Sequence, residues 1–150
     1  MTGITIVPAS EDDQEWCARL MASSDPWITL GRHLAACRAA FGHSGYEAFV
    51  AHDGGQRLGF VLCHPRGAMG SPYIATIAVA PEARSRGLGR RLLEFTEEHY
   101  SGKRHLFLCV SSFNPRARQL YERMGYQAVA DLQDYLIAGA SEILMHKRLG

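Results

Sequence analysis

Long apolar runs are missing from this 150-residue chain, and so is any excess of charge of one sign. No hydrophobic stretch approaches the roughly 20 residues that span a bilayer, so no membrane helix is expected. Sixteen basic against fifteen acidic residues leave a formal net charge of +1. That balance gives no general pull toward nucleic acid or an anionic membrane, so any anion site has to be local. The opening MTGITIVPAS has no basic region leading into an apolar one, so it does not read as a signal peptide, and a cytoplasmic location is expected. Cysteine is scarce: Cys17, Cys37, Cys63 and Cys109 lie far apart in apolar segments, with no C-x-x-C. They read as reduced, buried thiols rather than disulfides or metal ligands. The seven histidines show no metal-type spacing, and no metal is expected.

What is present is a composition 47% hydrophobic, enough for one domain spanning 1–150 with a core of its own. Ile4 to Val7 reads as a short strand. Ser10 and Asp13 have the spacing of a capping box, and Trp16, Cys17, Leu20 and Met21 follow as one helical face. SDPW breaks that helix, and Leu30, Leu34, Cys37 and Phe41 recur at helical spacing up to Gly42. YEAFVAHD and RLGFVLCH flank Gly54 and Gly55 as a β-hairpin; PRGAMGSP reads as a loop and YIATIAVA as a buried strand. A helix with Leu88, Leu92, Leu93, Phe95 and Tyr100 comes next, then the strand HLFLCVSS. Asn114-Pro115 opens a helix carrying Ala117, Leu120, Tyr121 and Met124, and YQAVADL and EILMHKRL close the chain as strands. The sum is a single α/β domain with a mixed sheet.

The stretch APEARSRGLGRRLL, Ala80 to Leu93, carries the chemistry. The first N–H groups of a helix lack intrahelical partners and sit at the positive end of its dipole, so a glycine turn from strand to helix suits phosphate. Gly87 and Gly89 let an anion approach the backbone, while Arg84, Arg86, Arg90 and Arg91 can add charge-assisted bonds. A Walker loop would need Lys and Ser or Thr after the second glycine, where Arg90 and Arg91 stand; a dinucleotide fingerprint would need glycine at Leu92.

R-S-R-G-L-G, Arg84 to Gly89, resembles the [QR]-x-x-G-x-[GA] signature of the GCN5-related N-acetyltransferases, and IAVAPEAR from Ile77 resembles the strand leading into it. N-P-R-A-R-Q-L-Y-E-R-M-G-Y, Asn114 to Tyr126, is similar to that family's second motif block. SDPW and the D-Y-L-I-A-G loop resemble segments of the members that acetylate protein N-terminal amines, ribosomal ones included. The resemblance implies a mixed, mostly antiparallel sheet of about seven strands flanked by about four helices. It implies acetyl-CoA as co-substrate, an amine acceptor, and a monomer or homodimer.

At residue level it implies cofactor contacts from Ile77, Ala78, Val79, Arg84, Ser85, Arg86, Gly87, Leu88, Gly89, Arg90, Asn114, Ala117 and Tyr121. Tyr121 would be the acid that protonates the leaving thiolate, and the backbone N–H near Val79 would stabilise the carbonyl oxygen. A phenol of pKa about 10 protonating a thiolate of about 8.5 is uphill by roughly 2 kcal/mol, yet its hydrogen bond still steadies the growing sulfur charge. Trp27, Asp134, Tyr135 and Glu142 would form the acceptor site. Members of that kind often carry a glutamate base five residues before the Asn; here that residue is Cys109, a thiol read as packing. The base stays open between water, Glu142 and Asp134, and the acceptor between protein N-termini, polyamines, free amino acids and other small amines. A non-catalytic acyl-CoA sensor and a nucleotide-binding module are the rival readings.

Overall fold

The computed structural model describes residues 3–150, folded around one seven-stranded sheet. Its elements are β1 (Ile4–Pro8), α1 (Glu11–Ala22), α2 (Leu34–Ala40), β2 (Glu47–Asp53), β3 (Gln56–Ala68), β4 (Ser71–Val79), α3 (Leu88–His99), β5 (His105–Ser111), α4 (Pro115–Arg123), β6 (Gln127–Gln133) and β7 (Ser141–Arg148). The strand order is β1-β2-β3-β4-β5-β7-β6. Only β4 and β5 run parallel; every other neighbouring pair is antiparallel. No helix among the described residues is long and apolar enough to cross a membrane.

The helices divide between the two faces of the sheet, and β3 shows why its run is apolar throughout. Successive strand side chains point to opposite faces. Phe60 and Leu62 pack with Cys17, Leu20, Met21 and Cys37 of α1 and α2. Val61 and Cys63 join the larger cluster with Leu88, Leu92 and Leu93 of α3 and Tyr121 of α4. A strand covered by helices on both faces has no solvent side to mark with polar residues.

The start of α1 is fixed by reciprocal bonds: Asp13 N–H donates to Ser10 Oγ at 3.1 Å and Ser10 N–H to Asp13 Oδ2 at 2.9 Å. Two expected boundaries move. Leu30 lies outside α2, because Gly31 takes φ +72° and His33 is the residue that precedes the helix. The stretch PRGAMGSP is not a loop: β3 runs to Ala68, β4 starts at Ser71, and only Met69 and Gly70 turn, both at positive φ (53° and 82°). Pro65 and Gly67 look like breakers but fall where the β3–β4 register shifts between His64 and Ala68, a place where a sheet tolerates them.

Candidate active site

β4 and β5 stay paired for only two residue pairs, Tyr73 with Phe107 and Ile74 with Leu108, and then part. Next to the parting point β4 bulges. Ile74 pairs with Cys63 and Thr76 with Leu62, which leaves Ala75 as an extra, exposed residue. Beyond the bulge, Ala80 N–H donates to Leu58 O at 2.8 Å. With a period of two, the N–H groups of Thr76 and Ala78 also face β3. Those of Ile77 and Val79 therefore face the gap that β5 has left.

That gap holds a cavity of about 410 Å³, lined by Ile77, Cys109, Asn114, Tyr121, Trp27 and Glu142 among others. Tyr121 projects from α4 with 6% of its surface exposed. No protein group bonds its hydroxyl, and no buried side-chain polar atom among the described residues lacks a partner, so the hydroxyl opens to the cavity. Burial pushes this phenol above its ordinary range. Asn114 caps α4 by accepting from Ala117 N–H at 3.4 Å while its side chain borders the cavity. Glu142, 8% exposed, accepts a 2.7 Å bond from Ser111 Oγ on the neighbouring strand.

The turn into α3 continues from the end of β4, the strand that edges the gap. Ser85 (φ 64°) and Gly87 (φ 75°) both adopt the left-handed conformation. Gly87 caps α3 without a side-chain bond, and no acidic residue stands in the first turn. The contrast with α1, which has three acids and a capping box, and with α4, capped by Asn114, is sharp. The first N–H groups of α3 are thus left for an external anion. A Cβ on Gly87 would meet nothing within 4 Å, whereas one on Gly89 would come within 3.1 Å of Leu120 Cδ2. Gly87 therefore faces open space and Gly89 admits α4. Arg84 Nε donates to Val79 O at 3.2 Å, tying the turn to the end of β4, and Arg86 is exposed. Arg90 forms a 3.4 Å pair with Glu94, solvent-exposed on both sides and so worth little stability. The Leu88 side chain is buried in the core, which leaves only its backbone for a ligand.

Several site expectations shift. Val79 is not among the cavity-lining residues; Ile77, beside the bulge, is. Asp134 is also away from the lining: at φ 53° it accepts Gly139 N–H at 2.7 Å and shapes the β6–β7 turn, whose next residue, Tyr135, does border the cavity. Cys109 is half-buried and lines the cavity instead of packing in the core. Burial raises its thiol pKa, so it stays a thiol and makes a poor nucleophile. All four cysteines are free. Among the described residues no group of three or more His, Cys, Asp or Glu is arranged to hold a metal. Trp27 both packs against the α1–α2 cluster and borders the cavity. The sequence did not single out Tyr73, Ser111 or Arg32. Ser111 meets Glu142 only through the β5–β7 register, a long-range relation with no local signal.

Residues 11–126 match the Acetyltransferase (GNAT) family, and the chain belongs to that family. It is 30% identical to the N-alpha-acetyltransferase RimI of Mycobacterium tuberculosis, over 98% of this chain and 94% of that one. It is 34% identical to an uncharacterised N-acetyltransferase of Methanocaldococcus jannaschii over 67% of this chain and 65% of that protein. With a mycothiol acetyltransferase of Rhodococcus jostii it shares 36% identity over 78% of this chain, but only 43% of that protein. The chain thus spans less than two thirds of the length of these last two relatives. Among solved structures, the ribosomal-protein-S18-alanine N-acetyltransferase of Escherichia coli superposes with a TM-score of 0.80 at 22% identity, over 98% and 94% of the two chains. An aminoglycoside 6′-N-acetyltransferase complexed with coenzyme A does so at 0.78 and 16% identity, over 97% of both. At these identities the structural likeness speaks for the fold.

Proposed function

We propose that the protein transfers an acetyl group from acetyl-CoA to a primary amine by direct attack. The observation that carries this reading is the acid-free, side-chain-uncapped start of α3 opening beside a cavity that holds a free phenol and a buried carboxylate. Coenzyme A bound to the aminoglycoside acetyltransferase of like fold supports the choice of donor. In such a transfer a neutral amine attacks the thioester carbonyl, a carbon–nitrogen bond forms, the carbon–sulfur bond breaks, and the departing thiolate takes up a proton.

The residues divide this work. The N–H groups at the start of α3, with Arg84 and Arg86, hold the pyrophosphate. The Ile77 N–H stabilises negative charge on the carbonyl oxygen, and Val79 N–H, further along the open edge of β4, bonds the cofactor chain. Tyr121 donates its proton to sulfur. Its raised pKa keeps it protonated at all working pH values, at the cost of a less favourable transfer. Glu142, oriented by Ser111, receives the ammonium, and takes its proton directly or through water. Cys109, as a thiol, takes no covalent part. Trp27 and Tyr135 wall the acceptor. Protein N-termini, as for the RimI relative, and small amines, as for the aminoglycoside enzyme, are both acceptors of this chemistry.

The test is thiol release from acetyl-CoA with a panel of primary amines. Release that needs an amine and yields the acetylated product supports the transferase; binding of CoA with no turnover of any amine points to the sensor.

A further inference from the structure

The acceptor end of the cavity has an unusual charge inventory. Among its described lining residues Glu142 is the one carboxylate, and Arg32 and His43 are the basic ones. The remaining surroundings include the rings of Trp27, Tyr46, Tyr73 and Tyr135. Arg32 is exposed, and no carboxylate among the described residues pairs with it. Several basic residues elsewhere are matched by carboxylates, Arg19 and Arg38 with Glu15, Arg57 with Asp13 and Lys147 with Glu97 among them, and Arg32 is the one arginine or lysine among the described lining residues of the cavity. The backbone that carries Arg32 is pinned. Its N–H donates to Trp27 O at 2.9 Å, its carbonyl accepts from Cys37 Sγ at 3.8 Å, and Gly31 before it turns at φ +72°. A guanidinium with no carboxylate partner, carried on a pinned stretch of backbone, thus lines the same cavity as a buried carboxylate.

We infer that the acceptor carries a carboxylate near its amine, held by Arg32 while the amine meets Glu142. This rests on the reading of the cavity as an amine acceptor site and narrows it. An acceptor with one ammonium and one carboxylate finds each charge answered, and a guanidinium fits a carboxylate in a two-pronged geometry. A polyamine brings two or more positive charges to a site with a single carboxylate. One of them stays unpaired and is repelled by Arg32, so the site selects against polyamines as well as for acids. The carboxylate can belong to a free amino acid or to an acidic residue near a peptide N-terminus.

Matched acceptor pairs separate these sources: alanine against alaninamide, and Ala-Asp-amide against Ala-Asn-amide, with spermidine as the polyamine. The expected result is a kcat/KM at least about tenfold higher for the acidic member of one pair, with spermidine poorer than either. In Arg32→Gln that preference collapses through the acceptor KM while the acetyl-CoA KM holds; Arg32→Lys keeps part of it. The first pair reports a free amino acid, the second a peptide. Acetyl transfer that ignores the carboxylate in both pairs, favours spermidine, or keeps its preference in Arg32→Gln overturns this inference and leaves the transferase standing. No thiol release with any acceptor, while CoA still raises Tm, overturns the transferase reading and this inference together.

Discussion

The Ser111 hydroxyl donates to Glu142 Oε2 at 2.7 Å, across the register pair that joins β5 to β7. This bond holds one carboxylate oxygen and leaves the other free to meet an amine. Glu142→Gln keeps the shape and removes the charge. A fall in kcat/KM of about 10²-fold is expected, in the range for a lost proton-transfer group. Ser111→Ala should cost less, since it only loosens the carboxylate. Steady-state rates with one good acceptor check both; a Glu142→Gln enzyme as fast as the parent would hand the proton to water.

Tyr121→Phe isolates the phenol. The ring stays packed, 6.2 Å from the Tyr126 ring, so stability should barely change. We expect kcat to drop at least about tenfold with little effect on CoA binding. The loss should shrink for a donor whose thiol has a lower pKa, because that thiolate needs a proton less. A well-folded Tyr121→Phe protein with full kcat removes Tyr121 from the chemistry.

Gly87 offers a clean test of the anion site, because space beside it is open. Gly87→Asp sets a negative charge where phosphate is expected. Gly87→Asn has nearly the same shape and tolerates a left-handed backbone without that charge. CoA should raise the Tm of the parent and of the Asn variant by ligand linkage, and leave the Asp variant unmoved. Equal shifts in all three proteins would place the phosphates elsewhere.

Buried thiols give the fold an alkaline limit. Burial pushes Cys17 up to about 12 and Cys63 up to about 11, from an ordinary value of 9.0. Below pH 9 both are protonated, folded or unfolded, and their contribution is intact. As pH rises past 9 the unfolded chain releases these protons and the folded chain does not, so stability falls until the folded pKa is passed. Each thiol contributes a slope of up to about 1.4 kcal/mol per pH unit. Unfolding free energies of Cys17→Ala between pH 9 and 11 should fall less steeply than those of the parent, whatever their absolute level. Parallel curves would contradict the shift.

Trp27→Ala should raise the acceptor KM well above any change in the acetyl-CoA KM, since the ring borders the cavity away from the α3 turn. Equal changes in both, with a large drop in Tm, would make Trp27 a packing residue of the α1–α2 cluster alone.

The parts of this site that the sequence announces are those with local causes. The turn into α3 is spelled out by glycines, arginines and the absence of acids within a few residues, and the α4 start by Asn114-Pro115. What stayed hidden depends on pairing between distant strands. The bulge at Ala75 exists only relative to β3, so no local signal marks it, and it is Ile77 rather than Val79 that lines the cavity. Asp134 stands as a candidate base and acceptor contact in the sequence, and only the structure shows its carboxylate accepting from Gly139 N–H within the turn. Cys109 looked like core because β5 is an apolar run, yet the parting of β4 exposes one side of that run.

The two-pair junction between β4 and β5 also makes a mechanical statement. The sheet consists of a four-strand leaf, β1 to β4, and a three-strand leaf, β5, β7 and β6, joined along a short spine. Ile77 and Val79 sit on the first leaf and Cys109 and Glu142 on the second. The distance across the cavity is therefore governed by the angle at which the book stands open. A substitution at Phe107, in the spine but outside the cavity lining, would change that distance without touching the cavity.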